Sequence, residues 1–254
     1  QAAPFSLLSY PDAKKHSRQI GEVTARRFMP PWLPERGFGE FAHDRSLSAS
    51  EIERIQRWIA EGASEGASEG ASEGAATDLP PLPQWKSEWP LGPPDLVVQV
   101  PEPYQLRADG KDVYRNLVVP IPTGTRRYVK GIEFRPGNHR VVHHAFVNVD
   151  TTRYSRHLAE KETPAGFDGM DLPETAQMPG GQLLGWQPGK QPYFSAPGLS
   201  WVLDKSTDLV LQLHLHPTGK PESVQPQVRF YFTDQPPTNT AYRIKLEYYK
   251  IDIA

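Results

Sequence analysis

The sequence predicts a mainly β protein, a β-sandwich preceded by a small α-helical segment, and three observations carry that reading. Proline is abundant, 27 of 254 residues, and much of it punctuates short apolar runs, as in Pro80-Pro81, Pro93-Pro94, Pro101-Glu102-Pro103, Pro120-Ile121-Pro122 and Pro236-Pro237. Beyond residue 90 most of those runs alternate apolar and polar residues, the pattern of half-buried strands. Helical spacing is confined to the first sixty-odd residues.

In chain order, Tyr10-Pro11-Asp12 offers a helix start, and Ala13 to Phe28 runs without a breaker apart from Gly21 until Met29-Pro30-Pro31 stops it. A second helix opens on Ser48-Ala49-Ser50-Glu51, a capping box with Ser48 as N-cap and Glu51 at N3. Ile52, Ile55, Trp58 and Ile59 follow at helical spacing, and Gly62 ends it. From Glu61 to Ala76 the tetrapeptide Glu-Gly-Ala-Ser recurs, with Ala as the final change. Glycine at every fourth position costs about 1 kcal/mol each in a helix, so this run reads as a flexible linker. Strands are then expected at Asp95–Val100, Val113–Val119, Tyr128–Phe134, Arg140–Val149, Leu209–His216, Val228–Thr233 and Ala241–Lys250. Thr151 to Leu203, rich in Gly and Pro, reads as a long excursion with some short strands.

Composition narrows the chemistry. The chain has no cysteine, which excludes disulfides, thiolate zinc sites, iron–sulfur clusters and a thiol nucleophile within it. Lys+Arg 28 against Asp+Glu 30, with no long basic run, gives no electrostatic case for nucleic acid or an anionic membrane. No apolar run reaches the roughly 18 residues of a membrane span, and the chain opens without Met or a signal-like segment, the look of a mature or truncated chain. GxSxG, P-loop, HExxH and GxGxxG motifs are missing, so hydrolase and nucleotide readings lack a specific basis.

The main chemical signal is histidine. Four of eight lie in two tight groups, Val141-Val142-His143-His144-Ala145-Phe146 and Leu211-Gln212-Leu213-His214-Leu215-His216. Residues two apart on a strand share a face, so His214 and His216 can point the same way. Adjacent residues do not, so His143 and His144 can bind one ion only where the strand is bulged, strongly twisted or ending. Such a set suits copper, zinc, iron or nickel, and spacing does not choose among them. His16, His43, His139 and His157 lack such company and read as surface residues. Met170 and Met178 offer thioethers that suit Cu(I), although packing is the ordinary role of methionine. Two other readings stand beside a redox metal: a non-catalytic β-sandwich binding module with a structural metal or none, using Trp85, Trp89, Trp186 and Trp201 as a ligand platform, and a zinc hydrolase, for which no general base is placed.

A histidine pair followed about seventy residues later by Leu-Gln-Leu-His-Leu-His, in a β-rich region, resembles the N-terminal half of the ascorbate-dependent type II copper monooxygenases, over residues 90 to 254. The resemblance implies a jelly-roll-like β-sandwich in which His143, His144 and His214 hold an electron-transfer copper, with His216 where that family varies. It implies an oxidoreductase that hydroxylates C–H bonds of a small-molecule substrate, with a second copper site outside this chain. Two departures stand out: family members carry disulfides, impossible here, and the further HxH and Met of the second domain are absent, so this chain would bind metal without turning over. Residues 1–62 resemble the closing part of a cytochrome c domain, with Arg27-Phe28-Met29-Pro30-Pro31-Trp32 as the axial-ligand loop and Leu47 to Gly62 as the last helix. The CxxCH needed for haem attachment is missing, so Met29 would ligate haem only in an intact parent. The expected organisation is thus a partial cytochrome c-like helical segment at 1–62, a flexible linker at 63–90 and the copper domain at 91–254. Copper and haem c would be its cofactors, ascorbate or haem its electron donor, and the periplasm or the exterior its location.

Overall fold

The computed structural model describes residues 5, 7, 9–32, 34, 37–41, 44–65, 90–162, 164–242 and 244. Two compact units divide the chain, Ala3–Trp85 and Lys86–Ala254. The stretch 66–89, with most of the expected linker and with Trp85 and Trp89, lies outside the described residues, as do His43 and nearly all of the expected strand Ala241–Lys250.

The first unit holds three helices among its described residues, α1 (Tyr10–Lys15), α2 (Ser17–Ala25) and α3 (Ala49–Ala60). The single helix expected over Ala13–Phe28 is therefore two. His16 interrupts it at φ −108°, ψ 12°, and its ring Nδ1 lies 2.9 Å from the Asp12 carbonyl. The capping box of α3 is complete: Glu51 N–H donates to Ser48 Oγ at 3.2 Å and Ser48 N–H to Glu51 Oε2 at 2.7 Å. Beyond α3 the chain folds back, with Tyr10 Oη donating to the Ala63 carbonyl and Trp58 Nε1 to that of Ser64. Among the described residues of this unit, Gly21, Thr24 and Ala63 alone are buried, and Phe28, Phe38 and Phe41 are exposed.

The second unit is mainly β, with eleven strands and antiparallel sheets among the described residues. One sheet has four strands in the order β1 (Leu96–Gln99), β11 (Gln227–Thr233), β4 (Arg127–Arg135) and β8 (Trp201–Leu203). Another has five: β6 (Gly166–Asp168), β3 (Val113–Pro120), β9 (Asp208–Leu215), β5 (Val142–Asp150) and β7 (Gly185–Trp186). β2 (Tyr104–Leu106) and β10 (Glu222–Val224) form a separate ribbon. Val98, Val129, Phe230 and Leu203 of the first sheet share one core with Leu117, Leu209, Leu211, Leu213 and Val147 of the second, an arrangement consistent with a β-sandwich.

The five-stranded sheet positions the site. Its odd-numbered β9 residues, Leu209 to Leu215, enter the core, so the even-numbered ones line the opposite face. Cross-strand pairing sets these in rows: Tyr114–His214–His144, then Asn116–Gln212–Phe146, then Val118–Val210–Asn148, then Pro120–Asp208–Asp150. The lower rows are covered by the excursion. Ala159 of helix α4 (Tyr154–Ala159), a helix the sequence pattern does not announce, packs with Val118, Val210, Phe167 and Leu172.

Asp150 pins this cover down. Its carboxylate, fully buried, accepts from Thr152 N–H and Oγ1, from Ser155 N–H and Oγ, and from Thr175 Oγ1, at 2.6 to 2.9 Å. Burial pushes its pKa up, but the Ser155 and Thr152 hydrogen bonds outweigh this and hold it far below the ordinary 3.8. A pKa depressed in the folded state stabilises the fold above the unfolded value and loses that contribution as the pH falls toward the folded one. Asp150→Ala is accordingly expected to cost about 2–4 kcal/mol in urea denaturation at pH 7. The gap between wild type and variant should narrow progressively below about pH 4; a gap unchanged at pH 3 would contradict this account.

Candidate metal centre

At the end of the sheet that the described residues leave uncovered, β5 carries one residue too many. Val142 stands opposite Leu215 and His144 opposite His214, so His143 is the extra residue of a β-bulge. A bulge re-aims side chains, and here it lets two adjacent histidines serve one point. His214, from the central strand, completes the group.

The three Nδ1 atoms form a nearly equilateral triangle: His143 to His144 3.2 Å, His143 to His214 3.2 Å, and His144 to His214 3.3 Å. Hydrogen bonding does not satisfy such a triangle. Each neutral imidazole nitrogen offers either a hydrogen or a lone pair, so among three mutual neighbours at least two offer the same and repel. A cation at the centre resolves the conflict. An ion about 2.0 Å from three imidazole nitrogens in tetrahedral geometry sets them about 3.3 Å apart, which is the spacing found, and leaves a fourth direction open. Burial, with the neighbouring imidazoles, lowers the pKa of both His143 and His144, favouring the neutral form that coordinates.

Asp112 fixes the third histidine. His214 Nε2 lies 2.8 Å from Asp112 Oδ2, and the His214 hydrogen bond lowers the Asp112 pKa, with His216 adding to it. An ionised carboxylate only accepts, so Nε2 carries the proton and Nδ1 presents its lone pair to the triangle. Tyr114 stacks on the other side of the ring, 4.4 Å between centroids and 5° from parallel. His214 is thus restrained in tautomer and in plane.

His216 has a different place from the triad. Its Nδ1 donates to Asp112 Oδ1 at 2.6 Å, and Asp112, His214 and His216 form a second group within coordination reach. Its ring centroid is 4.7 Å from that of His143. Met170 is exposed and tied in through its backbone, its carbonyl accepting from Gln212 Nε2 at 2.8 Å. The Met178 carbonyl accepts from Gly181 N–H in a 3₁₀ turn. His16 stacks on Phe5, His139 lies 6.0 Å from the Trp186 ring, and His157 is exposed. Of the proposed tryptophan platform, Trp201 is a core residue and Trp186 packs on Phe134. Met29 lines a small cavity of the helical unit with Trp32, Leu47 and Ile52.

Asp112 and Tyr114 were not singled out by the sequence reading. The available signal is parity: both precede or occupy even positions of β3, the face shared with His214 across the sheet. No family model matches the chain, and no curated protein matches it in sequence.

Asp112→Ala should weaken metal binding about 10–100-fold while leaving the fold intact, as loss of an outer-sphere carboxylate does elsewhere. Competitive titration with a chromophoric chelator reads this directly; unchanged affinity would remove Asp112 from the site.

Proposed function

We propose that residues 86–254 form a copper-binding redox domain, the electron-transfer half of a copper-dependent monooxygenase that hydroxylates C–H bonds. The observation that carries this reading is the Nδ1 triangle of His143, His144 and His214, whose spacing suits one ion and leaves one direction open. Imidazole donors without thiolate suit copper in both oxidation states, and the order of the ligands is that of the type II copper monooxygenases. A copper ion held there would supply one-electron storage and release.

The protein's own contribution is geometric. The bulge aims His143 and His144, Asp112 holds His214 in the tautomer that coordinates, and Tyr114 keeps its ring from tilting. A site fixed in this way changes little between the two charges of the ion, which keeps the structural cost of electron transfer low. The sandwich is read here as jelly-roll-like. The helical unit is read as the closing part of a cytochrome c-like domain, with Met29 as an axial ligand only in an intact parent. Its lack of large buried apolar side chains among the described residues is what a unit missing a central partner would show. This chain supplies no cysteine for thioether attachment, so the fit to haem c is partial. Ascorbate or haem would be the electron donor, and a periplasmic or secreted location goes with this reading.

Metal content and Cu(II) EPR of the purified chain test it. About one copper per chain, reducible by ascorbate and lost in both His143→Ala and His214→Ala, is expected. Zinc that is retained against copper, or copper indifferent to both substitutions, would overturn the redox assignment.

A further inference from the structure

We propose that a cavity on the open side of the β unit is a binding site for a small aromatic carboxylate, separate from the metal centre. The cavity follows from how the four-stranded sheet ends. β4 pairs with β8 only over Arg127–Val129, Gly131 adds one bridge to Phe194, and from Ile132 to Arg135 no strand of the described residues pairs with that edge. The facing edge, β7, is two residues long. Between these two incomplete edges lies a space of about 300 Å³. That is the lower end of the range of small-molecule sites, roughly 300–1,000 Å³.

Its walls are aromatic: Phe134, Trp186, Trp201 and Tyr193 line it, and Phe134 and Trp186 meet at 5.3 Å between centroids. A flat apolar body is the shape such walls accept. Its charge points to an anion. Lys190 lines the cavity, its ammonium donating to the Gly185 carbonyl and lying 5.9 Å from the centre of the Tyr193 ring. Lys190 is an exposed residue of the cavity lining, no carboxylate of the described residues pairs with it, and desolvation lowers its pKa. Glu133, the acid lining the cavity, does not repel an anion strongly, because its carboxylate is already engaged by Arg135 at 2.5 Å, Arg229 at 3.4 Å and the Tyr231 hydroxyl at 3.2 Å. An aromatic ring against Trp186 with its carboxylate on Lys190 answers both features.

The test uses the full chain stripped of metal by a chelator, so that a carboxylate cannot report on the histidine site and the outcome is independent of the copper reading. Titration calorimetry with 2-naphthoate and with its neutral counterpart 2-naphthylmethanol should show the acid binding about tenfold tighter, a difference of about 1.4 kcal/mol. Lys190→Gln should bring the acid down to the affinity of the alcohol, and Ser195→Phe, which fills the cavity, should abolish both; thermal melting confirms that each variant is folded. Absence of naphthoate binding to the folded wild type, or an affinity unmoved by Lys190→Gln, overturns the proposal.

Discussion

A single extra residue in β5 is the constraint on which the candidate metal centre depends. With Val142 opposite Leu215 and His144 opposite His214, the ladder has no partner for His143, and the strand must bend to accommodate it. Without the bulge, alternation would send His143 into the core among Val142, Leu213 and Leu215, where an imidazole finds no partner, or drive those residues out. The buried apolar rows on either side hold the register, so the sandwich core enforces the geometry of a site that lies outside it.

The same logic explains why the site is at one end of the sheet. On the lower rows, Asp150 gathers Thr152, Ser155 and Thr175, Asp208 binds Arg156, and Val118 and Val210 are sealed by Ala159. Gln212 and Asn116 mark the limit of this cover, since they hold the backbone of Met170 and Gly169 rather than an apolar neighbour. Beyond that limit His143 is exposed and His144 half-buried among the described residues.

Much of this was legible in the sequence, and for identifiable reasons. Six of the seven expected strands fall on observed ones within about two residues at their ends, because long alternating runs bounded by proline or glycine report burial directly. The histidine groups were visible as clusters, and the demand for a bulge followed from the two-residue period alone. Short strands such as β2, β7 and β10 have too few residues to show a period, and α4 is six residues long. The break at His16 escaped because a ring-to-backbone contact, not a breaker residue, accompanies it. Asp112 escaped for a different reason: an acid before a strand is common, and only the pairing of β3 with β9 shows that it faces His214.

The two candidate sites of the β unit share a structural origin. A sandwich buries what its strands can pair and cover, and the residues with chemistry to offer lie where pairing or cover stops. The triad sits where the excursion no longer covers the five-stranded sheet, and the aromatic cavity where β4 runs on past β8. β5 joins the two places, since His144 belongs to the histidine triangle on one face while its neighbour Ala145 pairs with Trp186, which lines the cavity.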